Sequence, residues 1–228
     1  MGRKLVKDTI YLSLQAQFIT TLVGLIGLFV HLTDKHIILR SILALETFVQ
    51  VIEGTFYAVM MKYFQNIETP LLSPIRYGDW LITTPTMLLT TVAFMDYNNK
   101  KNTSETTGIF KFIKENKSTL KQIVLYNFLM LVCGLLAEFK IIPVIPAVMI
   151  GFIFFGLTFN TIRVNYVKKS RKNRNIFIFI VLVWGLYGFA ALLGNIKKNV
   201  AYNSLDVVAK NFYGLYIFYE ILKVSSIN

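Results

Sequence analysis

Seven long apolar blocks dominate this sequence of 228 residues. Each block is long enough to cross a bilayer as an α-helix, which takes about 20 residues. We place the blocks at residues 9–32, 37–62, 73–95, 118–139, 141–164, 174–196 and 200–222. Because an open chain satisfies its backbone polar groups in lipid only as helix, the blocks predict an all-α membrane protein. We expect one seven-helix domain over residues 1–228.

Lysine and arginine are distributed unequally between the two sides of this predicted bundle. The N-terminus and the second, fourth and sixth loops carry seven of them, and the opposite side carries fifteen. Since cytoplasmic loops are enriched in these residues, we expect an extracellular N-terminus and a cytoplasmic C-terminus. This asymmetry explains the net charge of +12 without nucleic acid as a partner. The first block is too long for a cleaved signal, so we expect it in the mature bundle.

The longest predicted loop, residues 96–117, ends with the amphipathic sequence GIFKFIKEN. Its apolar residues alternate with Lys111 and Lys114, which is typical of a short helix on the cytoplasmic membrane surface. A partly ordered linker is the alternative interpretation. Cys133 is the single cysteine of the chain, so we expect no disulfide and no thiolate metal site.

Six charged residues lie well inside the predicted spans, where ionised side chains are costly and usually functional. They are Glu46, Glu53, Arg76, Asp79, Asp206 and Lys210. Asp206 precedes Lys210 by four residues and Arg76 precedes Asp79 by three, so each pair shares a helix face. Because an unpaired buried charge is strongly destabilising, we expect Arg76, Asp79 and Asp206 to surround Lys210. A buried lysine amine can condense with an aldehyde to form a Schiff base.

Two polar stripes interrupt the apolar background of the first two spans. The second span carries Glu46, Gln50, Glu53 and Tyr57, and the first carries Thr9, Ser13, Gln17 and Thr20. Such stripes can form hydrogen bonds between helices, or they can line a water-filled pathway. Two carboxylates on one stripe favour the pathway, because they are costly as simple helix–helix contacts.

Three motifs resemble those of the microbial (type 1) rhodopsins. The third span contains RYGDW followed by TTP, the sixth contains WGLY, and the seventh contains DVVAK. They resemble, in the right order, the family's third-helix, sixth-helix and retinal-lysine signatures. The resemblance implies all-trans retinal bound covalently to Lys210 as a Schiff base. It also implies Asp79 as primary counter-ion and proton acceptor, Asp206 as second counter-ion and Arg76 as an extracellular gate.

The same resemblance implies a retinal pocket and an ion pathway. Trp80 and Trp184 would pack on the two faces of the polyene, with Tyr187 beside it. Thr83 would accompany the counter-ion, and the other pocket residues would be Thr84, Met87, Met130 and Gly134. The acidic second helix is similar to that of the first group of viral rhodopsins, which are light-gated cation channels. The implied ion pathway consists of Ser13, Glu46, Gln50, Glu53 and Asn211.

Two positions depart from the family pattern. Thr90 stands where proton pumps of the family keep a carboxylate donor, and Gly188 replaces the proline after the sixth-helix aromatic pair. We therefore predict a light-gated cation channel and not an enzyme. A light-driven outward proton pump and a photosensory signalling rhodopsin are the alternatives. On this interpretation, Glu53→Gln lowers the photocurrent and leaves the visible absorption near normal.

We expect an integral multi-pass protein in the plasma membrane of the cell, or of a host cell. Its predicted partners are membrane lipids and the transported cations or protons. A homo-oligomer is compatible with this assignment.

Overall fold

The computed structural model describes residues 2–100, 108–167 and 170–226. These ranges are helical and contain no β-strand, which confirms the predicted all-α class. The helices are α1 (Gly2–Leu28), α2 (Ile37–Lys62), α3 (Thr69–Lys100), α4 (Ile109–Glu115), α5 (Lys117–Glu138), α6 (Val144–Ile162), α7 (Arg171–Ala190), α8 (Asn195–Asp206) and α9 (Phe212–Ser225). A 3-10 turn at Asp34–His36 precedes α2, and a π-helical turn at Arg163–Val167 extends α6. A second π-helical turn, Val207–Asn211, joins α8 to α9 in one continuous segment.

Four helices of the described part are long and apolar enough to cross a membrane by length and composition alone. They are Gly2–Leu28, Lys117–Glu138, Val144–Val167 and Arg171–Ala190. The other membrane-length segments, α2, α3 and α8–α9, carry the buried charged residues. Several helices extend beyond the predicted spans: α1 begins at Gly2 and α3 continues to Lys100. Apolar composition marks the part of a helix that lies in hydrocarbon, and polar residues can continue the helix beyond it.

The helices pack as a ring in which each segment contacts its neighbours along the chain. The continuous α8–α9 segment packs against α1, which closes the ring, and α3 also contacts α7 and α8. Helix α3 therefore contacts α2 and α5 as well as α7 and the last segment, and the last segment also contacts α2 directly. Because α2 and α3 are antiparallel, Tyr57 lies near Arg76 and Glu46 lies near Thr90.

The distribution of side chains is the one expected for lipid surroundings. Large apolar residues such as Phe18, Ile153 and Leu182 are exposed on the outside of the bundle. In contrast, Glu53 and Lys210 are at most 2% exposed. With every backbone group of a helix bonded internally, an apolar exterior is compatible with hydrocarbon. The buried charged groups thus lie in the interior, together with an apolar core.

Helix α4 occupies the end of the predicted 96–117 loop. Ile109 and Phe112 are buried against the bundle, whereas Phe110 is 85% exposed. The residues 101–107 of that loop lie outside the described ranges. Helix α4 therefore presents one apolar face to the bundle and the Phe110 side chain to its surroundings.

Candidate functional site

Lys210 lies in the π-helical turn Val207–Asn211, in the middle of the last membrane-length segment. A π-turn changes the regular i→i−4 bonding of a helix and often marks a functional position. The Gln50 side-chain amide donates a 3.0 Å hydrogen bond to the Lys210 carbonyl oxygen. Helix α2 therefore supports the backbone at the point where the lysine enters the interior.

Three carboxylates surround the Lys210 ammonium group. Its Nζ lies 2.7 Å from Asp79 Oδ2, 3.1 Å from Glu53 Oε1 and 3.7 Å from Asp206 Oδ1. Nζ donates a hydrogen bond to Asp79, whereas the Glu53 contact is an ion pair without hydrogen-bond geometry. The sequence placed Glu53 in the pathway stripe and not beside Lys210. No sequence signal identified this contact, because it depends on how α2 is rotated against the last segment.

Arg76 reaches this group of carboxylates only through Asp206. Its Nη1 lies 3.3 Å from Asp206 Oδ2 and donates a 2.9 Å hydrogen bond to the Tyr57 hydroxyl. Its Nη2 donates to Asn203 Oδ1. The sequence predicted that Arg76, Asp79 and Asp206 surround Lys210; in the structure Arg76 pairs with Asp206, which lies between the two cations. Asn203 had no predicted role, and Tyr57 was predicted only as a member of the polar stripe of the second span.

Asp206 lies between Arg76 and Lys210 and forms an ion pair with each of them. Its Oδ2 accepts a 2.7 Å hydrogen bond from the Tyr57 hydroxyl, and its Oδ1 accepts a 2.8 Å hydrogen bond from the Tyr187 hydroxyl. A buried carboxylate needs several donors or a cation to offset its loss of hydration. Asp206 has both, so its ionised form is well satisfied between Arg76 and Lys210.

An apolar cavity adjoins Lys210 between α3, α5, α6 and α7. All seven predicted pocket residues line it, namely Trp80, Thr84, Met87, Met130, Gly134, Trp184 and Tyr187. The sequence analysis missed other lining residues, among them Tyr77, Phe152, Phe155 and Tyr202. Large apolar and aromatic residues occur in every span, so no sequence signal distinguished these four.

Two glycines allow aromatic rings to form close walls around this cavity. A Cβ added at Gly134 would lie 2.2 Å from the Tyr77 hydroxyl, and one at Gly188 would lie 2.6 Å from the Phe152 ring. The cavity is thus narrow and aromatic, with the Lys210 amine beside it. Aromatic faces suit a conjugated cation, and a lysine amine is the group that attaches an aldehyde. These residues fit retinal.

A polar cluster lies on the other side of the π-turn, where the stripes of α1 and α2 meet. The Asn211 amide donates to Gln17 Oε1 at 2.9 Å, Thr20 Oγ1 at 2.6 Å and Gln50 Oε1 at 2.8 Å. Ser13 donates a 3.0 Å hydrogen bond to the carbonyl oxygen of Asn203. In this conformation the stripes are joined by helix–helix hydrogen bonds, one of the two interpretations that the sequence left open.

Two threonines of α3 complete the predicted set. Thr83 donates a 3.1 Å hydrogen bond to the Asp79 carbonyl oxygen, and Thr90 makes a hydrogen bond with Glu46. Both threonines and Glu46 are fully buried. Seven residues separate the two threonines, so about 10 Å of helix axis lies between them. Glu46 is therefore on the Thr90 side of Lys210, away from Arg76.

Comparison of the sequence with family profiles identifies its protein family. A family profile described as bacteriorhodopsin-like protein matches residues 8–224. The chain belongs to this family. No curated protein matches it significantly. The predictions of a microbial rhodopsin and of its membrane-embedded helical fold are confirmed.

Solved structures place the chain near viral rhodopsins. The viral rhodopsin OLPVRII is 27% identical with a TM-score of 0.85, and the match covers 96% of this chain and 99% of that one. Xanthorhodopsin, a light-driven ion pump with dual chromophore, is 16% identical with a TM-score of 0.74, covering 99% and 95%. The blue light-absorbing proteorhodopsin from Med12 is 17% identical with a TM-score of 0.73, covering 96% and 97%. The last two matches show the shared fold alone. The chain is thus a microbial rhodopsin related to viral rhodopsins.

Proposed function

We propose that this protein is a retinal-binding photoreceptor that conducts cations passively across the membrane when illuminated. One observation carries the proposal: Glu53, a carboxylate of the α2 polar stripe, lies 3.1 Å from the Lys210 nitrogen. Glu53 therefore belongs to the polar stripe and also contacts the amine that would carry the light-absorbing group. A change of charge at Lys210 acts directly on the stripe through Glu53.

Members of this family typically bind retinal through a lysine, and Lys210 is the lysine that adjoins the aromatic cavity. Bound to Lys210, retinal would supply the absorption of visible light and a light-driven change of shape. Asp79 and Glu53 stabilise the positive charge on the Lys210 nitrogen. Trp80 and Trp184 confine the bound group, since both line the cavity.

Asp79 is the proposed proton acceptor. Its Oδ2 already accepts a 2.7 Å hydrogen bond from the Lys210 nitrogen, so a proton moves along an existing bond. The transfer neutralises both partners, and Glu53 and Asp206 then lose their shared cation. Two unit charges about 4 Å apart interact by about 4 kcal/mol at an effective dielectric constant of about 20. A change of this size is large enough to rearrange neighbouring hydrogen bonds.

The proposed conduction path follows the polar residues of α1, α2 and the π-turn. Its members are Ser13, Glu46, Gln50, Glu53 and Asn211. Asn211 makes hydrogen bonds with Gln17, Thr20 and Gln50, and in the proposed mechanism these bonds close the path in the dark. After Lys210 loses its charge, water enters the cluster and carboxylates supply the negative potential that cations require. We place the N-terminus outside the cell and the C-terminus in the cytoplasm, in a plasma membrane.

A light-driven outward proton pump is the second candidate function. The observation in its favour is the direct hydrogen bond from Lys210 to Asp79, because a pump requires such a donor–acceptor pair. The two functions differ in their energetics. A channel dissipates an existing gradient in either direction, whereas a pump creates a gradient of its own.

Purified protein in liposomes with all-trans retinal separates the two functions. A sodium gradient is imposed across the vesicle membrane, with the higher concentration either inside or outside. In both arrangements we expect light to accelerate the loss of this gradient. Lys210→Ala, which removes the attachment point, is the control and should show no effect of light. Light that instead builds a proton gradient in vesicles without any imposed gradient would establish the pump.

A further inference from the structure

Helix α4 exposes an aromatic side chain although the helix itself is firmly held. Phe110 is 85% exposed, whereas Phe112 on the same short helix is fully buried. The Phe112 ring packs against the Tyr166 ring with 6.3 Å between their centroids. The Tyr166 hydroxyl also donates a 2.9 Å hydrogen bond to Asn116, the residue that follows α4. The exposure of Phe110 therefore results from a fixed orientation of the helix.

The junction at Asn116 joins α4 to α5 without a break in helical hydrogen bonding. The Asn116 backbone amide donates a 3.0 Å hydrogen bond to the Phe112 carbonyl oxygen. The Leu120 amide in turn donates a 2.9 Å hydrogen bond to the Asn116 carbonyl oxygen. Both bonds span four residues, as in a regular α-helix. The first turn of α5 is therefore held in a fixed position relative to α4.

Three exposed lysines lie on either side of this junction, namely Lys114, Lys117 and Lys121. None of them belongs to an ion pair within residues 2–100, 108–167 and 170–226. In contrast, Lys111 on α4 lies 3.8 Å from Glu115. Spacings of three and four residues place side chains on one side of a helix. This side therefore carries three positive charges that no carboxylate of the described ranges neutralises.

The same side of α5 continues as an apolar stripe. Val124, Leu125 and Phe128 follow Lys121 by three, four and seven residues, and all three are exposed. Because α5 is long and apolar enough to cross a membrane, this stripe faces the lipid tails. Lys121 lies only about 5 Å along the helix axis from Val124. Its long side chain can therefore place the ammonium group at the depth of the lipid headgroups.

We propose that Phe110, Lys114, Lys117 and Lys121 form a docking surface for anionic membrane lipids. The Phe110 ring enters the boundary between headgroups and acyl chains, where apolar side chains of surface helices lie. The three ammonium groups contact the negatively charged headgroups. The lipid-facing stripe that continues from Lys121 favours a membrane over a soluble protein as the partner.

This surface requires the membrane embedding of the bundle but neither light nor ion conduction. On the proposed orientation, α4 and the first turn of α5 lie at the cytoplasmic face. Anionic lipids are concentrated in that leaflet. The surface would therefore give this end of the bundle its own shell of anionic lipids.

Fluorescence quenching of a Phe110→Trp variant in vesicles tests the proposal. The vesicles contain phosphatidylcholine and phosphatidylserine, and one of the two lipids is brominated near the headgroup end of its acyl chains. Each lysine near the surface adds about a fivefold preference for anionic lipid. We therefore expect brominated phosphatidylserine to quench the new tryptophan several-fold more than brominated phosphatidylcholine does at equal content. The native protein gives the background of the chain's two tryptophans, Trp80 and Trp184.

Two sets of charge changes in the Phe110→Trp protein separate lysine contacts from general attraction. Replacing the three lysines of the surface by glutamine should remove the difference between the two lipids. The matched control removes three exposed lysines from the opposite end of the bundle, namely Lys4→Gln, Lys7→Gln and Lys197→Gln. It should leave the difference unchanged. Salt at about 1 M should reduce the difference, because it screens charges beyond about 3 Å.

Two results would overturn the proposal. Equal quenching by the two brominated lipids would show that the surface lies in the membrane without recognising anionic headgroups. No quenching by either lipid would show that Phe110 faces the solution, where a soluble protein is the partner to seek. The measurement is made in the dark and without an ion gradient. A native protein without photocurrent would therefore contradict the proposed channel and leave the lipid surface intact.

Discussion

The Lys210 nitrogen donates a 2.7 Å hydrogen bond to Asp79 Oδ2, although 131 residues separate the two in the sequence. This contact joins α3 to the π-turn of the last segment at the centre of the bundle. Both side chains are almost completely buried, so neither charge is screened by solvent. On the proposed function, this pair is where a change of charge at the lysine first acts on the rest of the protein.

Asp79→Asn tests this relationship. Removing the nearest negative charge destabilises the positive charge at the Lys210 nitrogen in the ground state, so we expect the visible band to move to longer wavelength. Loss of the proton from that nitrogen should also slow, on the order of 100-fold, because its acceptor is absent. Absorption spectra and flash photolysis measure the two effects. Asp96→Asn, a change in the same helix at a residue paired with Lys100, should leave both unaffected.

Glu53→Gln has a different expected outcome from the one that the sequence alone predicts. The sequence predicts a lower photocurrent with near-normal absorption. Because Glu53 Oε1 lies 3.1 Å from the Lys210 nitrogen, we now expect a lower photocurrent together with a spectral shift. The shift should be smaller than for Asp79→Asn, since Glu53 makes no hydrogen bond to the lysine. Unchanged currents under voltage clamp would remove Glu53 from the conduction path.

Helix geometry explains which contacts of the site could be predicted from the sequence. Spacing within one helix fixes which residues share a face, so the pairing of Asp206 with Lys210 was predictable. Relations between helices also depend on their rotation and depth, which spacing does not give. For this reason the contacts of Glu53 with Lys210 and of Glu46 with Thr90 could not be predicted from spacing. The π-turn added a further rotation that no sequence pattern reveals.

Tyr57→Phe tests the hydrogen bonds that hold the second carboxylate. The Tyr57 hydroxyl donates to Asp206 and accepts from Arg76, so its removal leaves two buried charged groups with one partner fewer. We expect a loss of about 1–3 kcal/mol in stability, the usual cost of an unsatisfied buried group. The measurement is thermal unfolding of the purified protein. Tyr219→Phe removes a hydroxyl from a side chain that is 56% exposed, and it should have little effect.

Gly188→Ala tests the wall of the cavity. The new Cβ would lie 2.6 Å from the Phe152 ring, so Phe152 must rotate and the cavity that it lines must change shape. We expect a shifted absorption maximum and weaker retention of retinal. In Gly185→Ala the new Cβ would lie 3.9 Å from the Phe155 ring, an ordinary contact. Both glycines lie in α7, so the two variants share the helix-propensity effect of alanine. Identical spectra for the two variants would contradict the proposed wall.

The reversal potential of the photocurrent is the most direct test of passive cation conduction. Cells that express the protein with all-trans retinal are held under voltage clamp and illuminated while the external sodium concentration is changed. We predict a current that reverses sign with voltage, at a potential that shifts by about 60 mV per tenfold change in the conducted cation. A photocurrent that stays outward at every voltage and does not respond to the sodium gradient would contradict the channel and identify a pump.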